Sequence, residues 1–120
     1  FFKRVNDTHG HLWGDKVIRG VADVARATVR ESDVITRWGG EEYLVLLNNC
    51  NLAQAVEVAE NLRAAVERHD FGLPEPQLPV TISLGVAEYR PEESESAFFS
   101  RADSALYQAK QGGRNGVHAA

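Results

Sequence analysis

At 120 residues the chain suits one domain with a real core, and its 43% hydrophobic and 25% charged residues are ordinary for a globular protein. A net charge of −4 argues against a nucleic-acid duplex or an anionic membrane as the main partner, though not against a small anionic ligand held by a few placed cations or a metal. One cysteine, Cys50, excludes an internal disulfide framework or a cysteine metal cluster, and no apolar run nears the roughly 18 residues that span a bilayer.

The lone cysteine fits a reducing compartment, so a cytoplasmic location is expected. The sequence opens at "FFKRVND" with no methionine and no signal-like stretch, and so reads as a piece of something longer. Residues 1–9 suit a short helix, which "GHLWGD" would break with its two glycines. Residues 15–31 are amphipathic, with Val17, Ile18, Val21, Val24, Ala25, Thr28 and Val29 at helical spacing. Two β-rich runs follow, 33–38 and 41–48, separated only by Gly39 and Gly40, which is a two-residue hairpin signal. Helical periodicity returns over 52–69, with Ala55, Val58, Ala59, Leu62, Ala65 and Val66 on one stripe. The proline-rich "FGLPEPQLP" is a loop. "VTISLGVAEY", 80–89, is the best strand, nearly continuous and apolar as if covered on both faces. A helix over 96–111 closes on "GGRNG", and a short strand fits 115–119. The order gives an α+β fold with helices against a mainly antiparallel sheet. Only three strands are firm where such a sheet needs four or five, which hints at a strand upstream.

Chemistry concentrates in "RWGGEEYLVLL". Two glycines open space and permit positive φ, and Glu41 and Glu42 follow at once. Alternation on a strand would send the two carboxylates to opposite faces. A carboxylate at a glycine gap suits a hard cation, since Mg²⁺ takes one or two carboxylates plus phosphate oxygens. The plainer alternative is a charged, solvated hairpin tip. His9 and His11 form an H-x-H with no further ligand nearby, a weak zinc signal.

"GGEEYLVLL" resembles the GG[DE]EF signature of diguanylate cyclases, with Tyr43 where the usual residue is Phe. "FFKRVNDTHGHLWGD", "VTISLGVA" and "RADSALYQAKQGGRN" resemble further family blocks in the same order, so the resemblance covers nearly the whole chain. It implies a nucleotide-cyclase-like (ferredoxin-like, palm) sheet surrounded by helices. It implies one GGDEF domain, residues 1–120, that makes cyclic di-GMP and two pyrophosphates from two GTP. Two such domains would face each other as a homodimer, each holding one GTP, under an upstream sensor or receiver domain. No nucleic acid and no membrane contact by this domain are expected.

By the same resemblance, Glu41 is a Mg²⁺ (or Mn²⁺) ligand and catalytic group, with Glu42 as a second metal contact. Asn6 and Asp15 read guanine, chemistry that an amide and a carboxylate suit. Read from the residues alone, Asn6 is a polar group at a helix end and Asp15 an N-cap or first-turn carboxylate. His11 is either near the nucleotide or packed between helices. Lys110 and Arg114 bind the terminal phosphates, or else are cations at a helix C-terminus. The backbone N–H groups of Phe1 and Phe2, with Lys3 nearby, would face phosphate oxygens. Arg30 and Asp33 form the R-x-x-D of an inhibitory cyclic di-GMP site, or else a local ion pair. The family's upstream strand, with an Asp that also binds metal, precedes Phe1, so the chain is expected to be an N-terminally truncated domain. The alternative function is a GTP- or cyclic di-GMP-binding receptor domain without catalysis. A purely structural, dimerising role is less fitting, because it would not need the Asn6 and Asp15 pair.

Overall fold

A computed structural model of the chain describes residues 2–120, except the side chain of Phe2. The elements run α1 (Phe2–His9), α2 (His11–Thr28), β1 (Val34–Gly39), β2 (Glu42–Leu46), α3 (Leu52–Arg68), β3 (Leu84–Val86), α4 (Glu95–Gln111) and β4 (Val117–Ala119). The described residues group into two compact units. The first holds the chain through Asn48 together with Ala65–Val80, and the second holds Asn49–Ala64 and Thr81–Ala120.

In the first unit, α1 and α2 are separated by one residue. Gly10 adopts φ 91°, a left-handed angle that breaks the helix, while its N–H donates to the Asn6 carbonyl at 2.8 Å. The expected break across "GHLWGD" is therefore confined to Gly10, and α2 starts at His11 rather than 15. Gly14 is helical and buried, and it marks a close approach rather than a turn. The stripe read from the sequence faces inward, with Val17, Ile18 and Ala25 buried. Val5, Val17 and Leu73 form the core of this unit, wrapped by Trp13, Val21, Phe71, Leu78 and Val80. A Cβ at Gly20 would stand 2.8 Å from the Phe71 ring, so the bare helix backbone there seats the aromatic.

β1 and β2 pair antiparallel, with Val34 opposite Leu46 and Arg37 opposite Tyr43. The register then shifts, and Gly39 pairs with Glu42. The turn is consequently Gly40–Glu41, not Gly39–Gly40, because a bulge at Trp38 consumes one residue of β1. Glu41 lies in the turn, so strand alternation governs Glu42 but not Glu41.

In the second unit, β3 pairs in parallel with β4, Leu84 opposite Val117 through Val86 opposite Ala119. β3 packs against α4, and Gly85 makes this possible. A Cβ there would lie 2.2 Å from the Leu106 nitrogen and 2.3 Å from the Ala102 oxygen. Ser94 caps α4 by accepting from the Ala97 N–H at 3.1 Å. The Arg101 guanidinium donates to the Glu88 carbonyl at 2.6 Å and to both carboxylate oxygens of Glu93. This pairing holds the Glu93 carboxyl below its usual range.

The α+β class stands, but the strands differ from expectation. Among the described residues there are two two-stranded ladders, one antiparallel and one parallel, rather than one mainly antiparallel sheet. The long strand over 80–89 is reduced to Leu84–Val86. Strand propensity needs a partner to be realised, and residues 80–83 have no ladder among the described residues. The Thr81 hydroxyl is buried there without a hydrogen-bond partner.

Candidate active site

The base-reading candidates meet at the α1–α2 junction. A Cβ at Gly14 would stand 1.7 Å from the Asn6 Oδ1, so the carboxamide occupies the space a side chain on α2 would fill. Asp15 follows Gly14 on α2 and is exposed. It is the fifth residue of the helix, which removes the N-cap and first-turn explanation for it. His11 is the first residue of α2 and is exposed. His9 is engaged elsewhere: its Nε2 donates to the Pro76 carbonyl at 2.8 Å. Lys3 is exposed on α1. Phe1 lies outside the described residues, as does the side chain of Phe2, whose backbone begins α1.

The carboxylate turn belongs to the same unit. Gly40 has φ 52°, and a Cβ at Gly39 or Gly40 would meet nothing within 4 Å, so the tip is open to another molecule. Glu41 is exposed and Glu42 half-buried. Two features missed in the sequence hold this tip. Arg37 donates to the Gly40 carbonyl from Nε at 2.9 Å and from Nη2 at 2.5 Å. The Tyr43 hydroxyl donates to the Ile18 carbonyl of α2 at 3.1 Å. The only sequence signal for the second was Tyr43 itself, at the end of the segment that resembles GG[DE]EF.

Among the described residues no three His, Cys, Asp or Glu side chains gather as a metal cage. Two neighbouring carboxylates beside open space are the donor set of a cation that completes its shell with phosphate oxygens and water, so Glu41 and Glu42 fit Mg²⁺ brought with a nucleotide.

At the base of the hairpin, Asp33 is buried, at 3% exposure. Its carboxylate accepts from the Arg30 N–H at 3.0 Å, the Asn48 N–H at 3.0 Å and the Arg30 guanidinium at 3.4 Å. The Arg30 guanidinium also donates to the Asn48 carbonyl. Burial pushes the Asp33 carboxyl up, but the N–H groups of Asn48 and Arg30 and the Arg30 charge outweigh it, and the net direction is down. The R-x-x-D pair is thus a latch that ties the start of β1 to the end of β2, with the Arg30 side chain 55% exposed and that of Asp33 2% exposed.

In the second unit, Lys110 lies in the last turn of α4, so it still fits the helix C-terminus. Arg114 follows in the turn with φ 62°, a left-handed angle unusual for a side-chain-bearing residue, and Asn115 follows at φ 44°. The Arg114 N–H donates to the Ala109 carbonyl at 3.1 Å, and the Arg63 guanidinium donates to the Asn115 Oδ1 at 3.1 Å. These bonds fix the backbone from which an exposed Arg114 side chain projects.

A family described as "Diguanylate cyclase, GGDEF domain" matches residues 1–116. The chain belongs to this GGDEF family. Diguanylate cyclase A of Treponema denticola is 44% identical over 98% of the chain, which spans 32% of that relative. Diguanylate cyclase DgcP of Pseudomonas aeruginosa is 42% identical over 99% of the chain, which spans 18% of it. The chain therefore corresponds to about a third or less of these longer proteins. Among solved structures, diguanylate cyclase SiaD of Pseudomonas aeruginosa, in complex with its activator SiaC, matches at TM-score 0.93 and 42% identity, covering 100% of this chain and 46% of that one. The coiled coil and GGDEF domain of DgcB from Caulobacter crescentus, in complex with c-di-GMP, matches at TM-score 0.91 and 35% identity, covering 99% of this chain and 64% of that one. The active GGEEF domain of a Vibrio cholerae diguanylate cyclase matches at TM-score 0.89 and 29% identity, covering 98% of this chain and 75% of that one. That GGDEF relative also carries Glu in the third position of the motif, as Glu41 does here.

Proposed function

We propose that this GGDEF domain is the catalytic part of a diguanylate cyclase, joining two GTP into cyclic di-GMP with release of two pyrophosphates. The observation that carries the reading is the α1–α2 junction, where the Asn6 carboxamide sits against Gly14 beside the exposed Asp15. An amide and a carboxylate together match the guanine edge, the amide facing N3 and the exocyclic amine, the carboxylate accepting from N1–H and the amine. The open Gly40–Glu41 turn lies in the same unit.

Glu41 and Glu42 would hold Mg²⁺ or Mn²⁺, which when bound offsets the charge that develops on the phosphates. Glu41 also accepts the proton of the attacking 3′-hydroxyl. Lys110 offers a point charge to the terminal phosphates and Arg114 a bidentate fork. The Phe2 N–H, with Lys3 nearby, would face phosphate oxygens, and His11 would stand near the nucleotide. Each 3′-hydroxyl attacks the α-phosphate of the GTP on a second domain, so the active species is a homodimer. An upstream sensor or receiver domain controls the pairing, and the domain works in the cytoplasm. Product inhibition acts through exposed Arg30, with Asp33 holding that arginine in place; DgcB of Caulobacter crescentus was solved with c-di-GMP.

The test is pyrophosphate release from GTP and Mg²⁺ as the concentration of the intact protein is raised. A specific rate that climbs with concentration supports a two-domain cyclase. No release at any concentration, with GTP or cyclic di-GMP still bound, would favour the receptor reading.

A further inference from the structure

The residue that departs from the family motif is also the one that ties the metal turn to the base-reading helix. Tyr43 stands next to Glu42 on β2, and its hydroxyl donates to the carbonyl of Ile18, 3.1 Å away. Ile18 is three residues after Asp15, about one turn further along the same helix α2. On the neighbouring strand, Arg37 faces Tyr43 across the ladder and grips the Gly40 carbonyl. The tip is therefore fixed at two points, one within the hairpin and one on α2. A phenylalanine at this position would keep the packing and lose the directional bond.

Resting on the cyclase reading above, we propose that Tyr43 is a positioning residue that sets the distance between the guanine-reading side chains on α1 and α2 and the carboxylates Glu41 and Glu42. Base and metal-bound phosphates belong to one ligand molecule, so that distance decides whether both ends are satisfied together. The bond thereby couples metal binding to guanine recognition. Its loss would leave each half of the site intact and weaken their cooperation.

The experiment compares the intact protein with its Tyr43→Phe variant. The probe is a GTP analogue with a methylene bridge between the α- and β-phosphates, which cannot release pyrophosphate. Calorimetric affinities are measured in Mg²⁺ and in EDTA, with thermal midpoints recorded alongside. The expected result is an unchanged midpoint, an unchanged affinity in EDTA, and a Mg²⁺-dependent gain in affinity that is about fivefold smaller in the variant, the scale of one hydrogen bond. An unchanged Mg²⁺ gain would overturn the proposal. So would equal losses with and without Mg²⁺ accompanied by a lower midpoint, since those mark a merely structural bond. If the parent binds the analogue but makes no cyclic di-GMP from GTP, the cyclase reading fails and the positioning role is still decided by the Mg²⁺ gain. If the parent does not bind the analogue at all, both are overturned.

Discussion

The Asn6 carboxamide oxygen lies 1.7 Å from where a Cβ on Gly14 would be. Gly14→Ala would therefore push Asn6 into another rotamer. Alanine improves the helix by about 1 kcal/mol, which offsets the repacking. Stability should change little, while GTP affinity falls about five- to tenfold, the value of one hydrogen bond to the base. Calorimetric titration with GTP and with ATP checks this, and the discrimination between the two nucleotides should shrink.

Asp33 supports the hairpin from below. Its folded pKa is depressed, so its contribution is fully present above the unfolded value of about 3.9 and is lost as pH falls through the lower folded value. Asp33→Ala leaves the Arg30 and Asn48 N–H groups without their acceptor, at a cost on the order of 2 kcal/mol. Urea unfolding at pH 7 should show this loss. The gap between parent and Asp33→Asn should narrow in acid.

Gly85→Ala should damage the second unit. The new methyl would collide with the backbone of α4 at Leu106 and Ala102, atoms that cannot rotate aside. A loss of about 1–3 kcal/mol or more is expected, read from the urea midpoint.

Much of this arrangement was legible in the chain. The helical stripes at Val17, Ile18 and Ala25, and at Ala55, Ala59, Leu62 and Val66, are buried as their spacing requires. The hairpin was legible too, but its turn was displaced by one residue, because a bulge leaves no mark in a two-glycine signal. Gly14 was misread as a breaker, since glycine signals a turn and a close helix contact with the same letter. The strand over 80–89 was overextended because propensity does not reveal which segments find a pairing partner. Candidate site residues were named from motif positions. What the motif could not supply was the support beneath them: the Asp33 latch, the Arg37 grip on Gly40, and the Tyr43 bond to Ile18.

The carboxylate turn is the centre of the proposed chemistry. It is open and exposed, so replacing Glu41 leaves the packing untouched. The direct measurement is mass spectrometry of the products formed by the intact protein and its Glu41→Ala variant from GTP and Mg²⁺. Cyclic di-GMP from the parent, abolished by EDTA and by the variant while the variant's thermal midpoint holds, is the predicted result. Equal product from both proteins would contradict a catalytic role for this turn.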